Sequence, residues 1–141
     1  MLIQFCAAKF CFSQFIVQEN QSGCSTVMDS ILHKVVYNHA DKIPEPIGGY
    51  NRFSNSVLKQ VKIATAYDEY SGKVYVSFVV EANGRIDGAR VVRDIPNTHG
   101  FFSNQILKAI KHNIYRWKPA LCNGKPVPFL YTSPFRIGLQ Q

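Results

Sequence analysis

The segment of residues 116–139 constrains the fold of this chain more than any other segment does. Pro119 ends the helical pattern before it, because proline lacks a backbone N–H and keeps the preceding residue extended. Asn123 and Gly124 then form a turn signal, since both residues tolerate positive φ. From Phe129 onward the side chains alternate, which predicts a strand running almost to the C-terminus. The segment holds no nucleophile with a partner base and no phosphate-binding loop, so it indicates a surface for pairing with another chain.

A second alternating pattern predicts a hairpin in the middle of the chain. Apolar side chains recur at every second position through residues 74–80, which predicts a strand with one buried face. Asn83 and Gly84 follow, and this pair is the strongest short hairpin signal. On the return strand, a three-residue step around Gly88 predicts a β-bulge. The side chains expected to point inward from that strand are Ile86, Ala89 and Val91.

Two segments show the period of amphipathic helices. Residues 51–61 carry apolar side chains at helical spacing, and residues 103–116 do so with Ser103 as the expected N-cap. Packing both helices on one face of a small antiparallel sheet gives an α+β fold. Trp117 lies where the second helix turns inward, so core packing is its expected role. The residues predicted to be structural are Trp117, Pro119, Gly84 and Gly124.

Charge and composition narrow the functional classes. The chain has 16 basic and 9 acidic residues, a formal net charge of +7, and a hydrophobic content of 46%, which together indicate a basic globular domain. A basic surface permits binding to nucleic acid, anionic lipid or an acidic protein. A sheet that binds RNA by stacking usually carries a Lys/Arg-Gly-Phe-x-Phe run, which is absent here. Binding of nucleic acid by a basic α+β domain is thus kept only as the alternative function.

No residue pattern indicates catalysis or metal binding. His39 and Asp41 are the closest pair of a histidine and a carboxylate, whereas a metal site needs three or four convergent ligands. The sequence contains neither Gly-x-Ser-x-Gly nor Cys-x-x-Cys. We therefore predict that the protein is not an enzyme and has no metal site and no cofactor.

The N-terminal residues and the cysteines suggest export. Residues 1–14 form an apolar stretch that we interpret as a signal peptide cleaved near Ser13 or Gln14, although a basic start is missing. The stretch is too short for a confident transmembrane helix. Cleavage would leave Cys24 and Cys122, which can form a disulfide in an oxidising compartment, with two unpaired buried thiols as the alternative. Residues 15–41 would then be an N-terminal extension, and residues 42–141 the domain.

Six short motifs follow one another in a fixed order from about Lys42 to Leu139. They are Pro-Glu-Pro-Ile-Gly-Gly at 44–49, Gly-Lys-Val-Tyr-Val-Ser-Phe-Val-Val at 72–80, Asn-Gly-Arg-Ile at 83–86, Trp-Lys-Pro-Ala at 117–120, Asn-Gly-Lys-Pro-Val at 123–127 and Pro-Phe-Arg-Ile at 134–137. In this order they resemble the TonB C-terminal domain family, in particular its stand-alone, Bacteroidetes-type members. The pattern of residues 27–36 alone fits a helix or a strand, and the resemblance favours a strand that ends near Tyr37.

The resemblance implies a periplasmic or envelope-associated domain that binds an extended segment of an outer-membrane receptor. In that family the segment adds as a strand at the edge of the sheet, a mode in which backbone hydrogen bonds supply much of the affinity. Pro128 and Pro134 fit an edge strand, because proline is excluded from central strands. The residues expected to bind the partner are Phe129, Leu130, Tyr131, Thr132, Phe135, Arg136, Ile137 and Leu139.

The sequence departs from the family pattern in two ways. It shows neither the N-terminal membrane helix nor the proline-rich spacer of a TonB energy transducer, and Ile63-Ala64 replaces the Tyr-Pro that normally follows the first helix. Force transmission from the inner membrane is therefore not implied. We expect a stand-alone periplasmic or surface-released protein-binding module, with a link to energy-dependent transport left open.

Overall fold

A five-stranded mixed sheet is the centre of the fold in the computed structural model, which describes residues 23–67, 69–113 and 115–138. The predicted signal peptide lies outside these residues. The strands are β1 (Ser25–Asp29), β2 (Lys34–His39), β3 (Glu45–Pro46), β4 (Gly72–Val80), β5 (Ile86–Arg93), β6 (Trp117–Lys118), β7 (Ala120–Cys122), β8 (Lys125–Val127) and β9 (Phe129–Ile137). The helices are α1 (Tyr50–Leu58), a single 3₁₀ turn (Thr65–Tyr67) and α2 (Phe101–Lys111).

The strand order in the main sheet is β1-β2-β9-β4-β5. Strands β4 and β9 form an unbroken antiparallel ladder from Gly72 opposite Ile137 to Val80 opposite Phe129. On its other side β9 meets β2, which runs parallel to it and pairs through Tyr37 opposite Phe129. The terminal strand is therefore third in the strand order and is an edge only beyond Phe129, which corrects the prediction that the whole strand lies at the edge of the sheet. The single parallel pairing with β2 makes the sheet mixed, while its other pairings are antiparallel as predicted. The α+β class itself is confirmed.

Both helices cover one face of this sheet, as the apolar period predicts. Phe53 of α1 and Ile106 and Ile110 of α2 are buried against alternate residues of β4. Trp117 is 2% exposed, and its ring packs edge-on against Phe53 at a centroid distance of 5.1 Å. Neither described helix is long and apolar enough to cross a membrane.

The β1–β2 hairpin reaches across to the β4–β5 end of the sheet. Arg90 of β5 donates to Asp29 with Nη2 to Oδ1 at 2.5 Å. Lys34 donates to both carboxylate oxygens of Glu81 at 2.6 and 2.8 Å. The Leu32 side chain lies so close to Gly88 that a Cβ there would meet it at 2.9 Å. The hairpin belongs to residues 15–41, which the sequence analysis treats as an extension, yet its strands are part of the main sheet.

The second helix is shorter than its sequence pattern predicts. It begins after Gly100, which is the N-cap, so the predicted cap Ser103 lies in the first turn, where its hydroxyl donates to Asp94 at 2.7 Å. It ends at Lys111, ahead of Pro119. Trp117 consequently does not lie on the helix but in β6, which pairs with β3. The first helix likewise ends at Leu58 instead of residue 61.

The predicted turns and the bulge are confirmed. Gly84 has φ +83° in the β4–β5 connection, and Asn123 and Gly124 have φ values of +53° and +76° between β7 and β8. The register of β4 against β5 shifts between Ser77 and Val79, and β5 carries the extra residue there, with Gly88 at φ +63°. The β7–β8 hairpin is an element that the sequence pattern did not separate from the terminal strand.

Candidate functional site

Most of the outward side of β9 carries no neighbouring strand. Beyond Phe129, none of the described strands pairs with β9 on the side that faces away from β4. We call this stretch, residues 131–137 on that side, the open side of β9. It arises because β2 touches β9 only at its first residue and the chain then leaves, with Lys42 bridging to Leu121 instead.

The backbone groups that point to the open side belong to even-numbered residues. Tyr37 donates its N–H to the carbonyl oxygen of Pro128 at 2.8 Å, so even-numbered groups face β2 and not β4. Alternate residues of a strand direct their N–H and C=O to the same neighbour. Pro134 fits this arrangement, since the missing N–H is on the side that β4 does not use. The open side therefore offers the N–H groups of Thr132 and Arg136, and the carbonyl groups between them.

The Tyr50 side chain occupies one backbone group on the open side, the carbonyl of Pro134. Its hydroxyl donates to the carbonyl oxygen of Pro134 at 2.7 Å and lies 2.6 Å from the hydroxyl of Ser133. None of the described side chains makes such a contact with the backbone groups of Thr132 and Arg136 on the open side. An incoming strand would therefore meet available donors on both sides of a carbonyl that is already occupied.

The predicted partner-binding residues divide into two sets. Phe129, Phe135 and Ile137 are buried in the core, so the structure places their side chains away from the surface on which the sequence pattern predicted them. Tyr131 and Leu130 are half-buried. Thr132 and Arg136 are exposed, as is Pro134. Leu139 lies outside the described residues. Contacts with a partner would thus come from backbone groups and from the three exposed side chains.

Tyr131 connects the open side to the core. Its ring packs against Trp117 at 5.1 Å and Phe78 at 5.7 Å. Burial raises the pKa of the Tyr131 hydroxyl above its ordinary value, and the nearby Tyr50 adds to the rise. The hydroxyl is therefore neutral at physiological pH and remains a hydrogen-bond donor.

The outer strands β1 and β5 are less suited to regular pairing. The register of β1 shifts between Ser25 and Thr26, and the strand has five residues. Strand β5 contains the bulge at Gly88 and a second shift opposite Tyr75. Bulges are a common means of protecting sheet edges from pairing. By contrast, β9 follows β4 through nine residues without a shift, so the backbone groups on its open side are regularly spaced and are interrupted only at Pro134.

A wide groove adjoins the end of the open side. Its volume is about 1070 Å³, and it lies between α1, the loop after α1, Tyr115 and residues 136–138. Three cationic side chains, Arg52, Lys59 and Arg136, line it. No sequence motif indicates this groove, because its residues come from three distant parts of the chain and none belongs to a recognisable pattern except Arg136.

The described residues contain one cluster of side chains that could in principle bind a metal ion. Cys24, Asp41 and Cys122 bring potential ligand atoms within 4.8 Å of one another, but the two cysteines are joined as a disulfide with a Cα–Cα distance of 6.3 Å. Their sulfur atoms are thus committed to each other, and Asp41 instead accepts the backbone N–H of Asn123 at 2.8 Å. This contact holds the β7–β8 turn against the strand region of residues 38–42.

Comparison with protein families matches residues 63–137, more than half of the chain, to the C-terminal region of the Gram-negative bacterial TonB protein. Among solved structures, the chain is similar to the solution NMR structure of the Pseudomonas aeruginosa TonB CTD. That pair shares 19% sequence identity over 86% of this chain and 94% of the other, with a TM-score of 0.35. A comparison with curated protein sequences finds no match.

Proposed function

Because this chain belongs to the family of Gram-negative bacterial TonB protein C-terminal domains, we propose that it binds an extended segment of an envelope protein along the open side of β9. The family consists of protein-interaction modules that work in the periplasm. The finer proposal is that the segment comes from an outer-membrane receptor and that binding is linked to energy-dependent transport.

One observation carries the proposal: a regular nine-residue strand that is paired throughout on one side and almost entirely unpaired on the other. Exposed backbone groups on a strand recruit another strand, and a shift-free ladder favours continuous pairing. The buried side chains of β9 fix the strand to the helices, so the pairing surface is formed before the partner arrives. Preorganisation of this kind lowers the entropic cost of binding.

A proline at residue 132 tests the backbone contribution. Thr132 directs its N–H to the open side, so Thr132→Pro removes a donor without breaking the β4 ladder. We expect at least about a tenfold loss of affinity, from the missing hydrogen bond and the bulk of the ring. The matched control is Thr132→Val, which keeps the N–H and the branched shape and loses only the hydroxyl bonded to Ser77. Position 130 is unsuitable, because its N–H faces β2.

The measurement is a titration of each protein against receptor segments that face the periplasm, carrying no net charge, at low and moderate salt. Binding by wild type and Thr132→Val, weak salt dependence, and loss in Thr132→Pro are the expected results. Equal binding by all three proteins would show that the partner uses another surface. Tight binding to single-stranded RNA that weakens steeply with salt, with no segment binding, would favour the alternative nucleic-acid function.

A further inference from the structure

The groove beside the open side of β9 has an unbalanced charge. Arg52, Lys59 and Arg136 are exposed, and none of them forms an ion pair with any described residue. No carboxylate is among the residues that line the groove. We call this site the basic groove.

The absence of acidic residues extends through the surrounding sequence. Neither α1 nor α2 contains an aspartate or glutamate, and the sequence has none after Asp94. On most protein surfaces interspersed charges of both signs neutralise one another. Because none of the described residues supplies a counter-ion to the basic groove, the field of its cations is available to an anionic ligand.

The basic groove also offers apolar contact. Leu58, Val61 and Ile63 contribute to its wall, and Ile63 is 52% exposed. Ile137, the last residue of β9, closes its inner side. A ligand that fits both features combines carboxylates with at least one apolar side chain, as an acidic peptide does.

The basic groove is continuous with the open side of β9. Arg136 contributes its backbone N–H to the open side and its side chain to the groove. Thr132 is four residues away, or about 13 Å along a strand. A segment paired through Thr132 and Arg136 therefore needs only a few more residues to enter the groove.

We propose that the basic groove binds an acidic flank of the same segment that pairs with β9, and so selects partners that carry clustered aspartates or glutamates next to the paired stretch. This inference rests on the proposed function. Backbone pairing is tolerant of sequence, because every residue but proline offers the same groups. The groove would supply the selectivity and the electrostatic steering that pairing alone does not.

Charge reversal tests the inference. The probes are receptor segments that bind wild type, each prepared with four acidic residues at one end, with four at the other end, and with Asn/Gln at both ends. We expect one acidic form to bind about five- to thirtyfold tighter than the neutral form at low salt. In an Arg52→Glu/Lys59→Glu variant this gain should vanish or reverse, while the neutral form binds as before.

The matched control is Lys108→Glu/Lys111→Glu, which changes the net charge by the same amount on the exposed face of α2, outside the basic groove. It should retain most of the acidic preference. Equal binding of acidic and neutral forms by wild type, or an equal loss of preference in both double variants, would overturn the inference and leave the pairing proposal standing. If no segment in any form binds wild type, the proposed function fails, and the inference fails with it.

Discussion

Asp29 shows how a single buried charge fixes the β1–β2 hairpin. Its side chain is fully buried, and its two oxygens accept from Arg90 at 2.5 Å and from the backbone N–H groups of Ile31 and Leu32 at 3.2 and 2.7 Å. Donation from Arg90 lowers the pKa of the Asp29 carboxyl below its ordinary value and outweighs burial, which raises it. The carboxylate thus joins the hairpin turn to β5.

The lowered pKa of Asp29 makes stability depend on acid pH. Its stabilising effect is fully present above the ordinary carboxyl pKa of about 4, and it is lost as the pH falls through the lowered pKa of the folded state. We expect the urea midpoint to fall below pH 4. Asp29→Asn should flatten that part of the profile and destabilise the protein at pH 7 by about 2–3 kcal/mol, because the amide keeps one acceptor oxygen but removes the charge and the second acceptor beside the partly exposed Arg90. An unchanged acid profile in the variant would contradict this role.

At the scale of elements, the features that depend on neighbouring residues alone could be predicted from the sequence. The β4 strand, the Asn-Gly turn and the bulge at Gly88 all follow from period two and from residues that tolerate positive φ. The end of α2 could not be predicted in this way, because the apolar period continues beyond Lys111, where the backbone forms a turn instead of another helical turn. The Asn113 side chain accepts the N–H of Tyr115 at 2.6 Å, and such a contact offers the backbone an alternative to another helical turn.

The position of β9 in the sheet could not be predicted from the sequence, because it depends on pairing between distant residues. Pairing of β2 with β9 joins residues 37 and 129, and neither strand contains a signal for the other. The prolines that suggested an edge have a local explanation: Pro134 lacks its N–H only on the open side, and Pro128 is used as an acceptor by Tyr37. The basic groove was missed because it exists only after α1 and β9 pack together.

Gly84 marks a close approach between the β4–β5 loop and β6. Its carbonyl oxygen accepts the Trp117 N–H at 3.0 Å, and a Cβ at this position would clash with the Trp117 carbonyl oxygen. Gly124 has a similar φ of +76° with open space around it. Gly124→Ala should therefore cost about 1 kcal/mol for backbone strain alone, and Gly84→Ala about 1–3 kcal/mol more. Urea midpoints at constant m-value would measure both, and equal losses would argue against the close approach.

At the scale of the whole molecule, the Cys24–Cys122 disulfide ties the start of the sheet to the β7–β8 hairpin. The bonded residues are 98 apart in sequence and enclose both helices. Both cysteines pack in one cluster with Tyr37 and Phe129, the residues through which β2 pairs with β9.

A disulfide that closes so long a loop should stabilise the protein strongly in an oxidising compartment. The chain-entropy model gives about 4–5 kcal/mol for a loop of this size. We expect reductant to lower the urea midpoint of the wild type and to leave that of a Cys24→Ser/Cys122→Ser variant unchanged. Without reductant, the variant should have the same midpoint as the reduced wild type.

Thiol labelling of unfolded, unreduced protein from the periplasmic and cytoplasmic fractions, combined with its intact mass, tests the disulfide together with export. Removal of the predicted signal peptide also removes Cys6 and Cys11. A shortened chain with no reactive thiol is the expected result. A shortened chain with two reactive thiols would rule out the disulfide, and a full-length chain found in the cytoplasm would rule out export. The intact mass is essential, because two reactive thiols on a full-length chain would instead be Cys6 and Cys11 beside an intact bond.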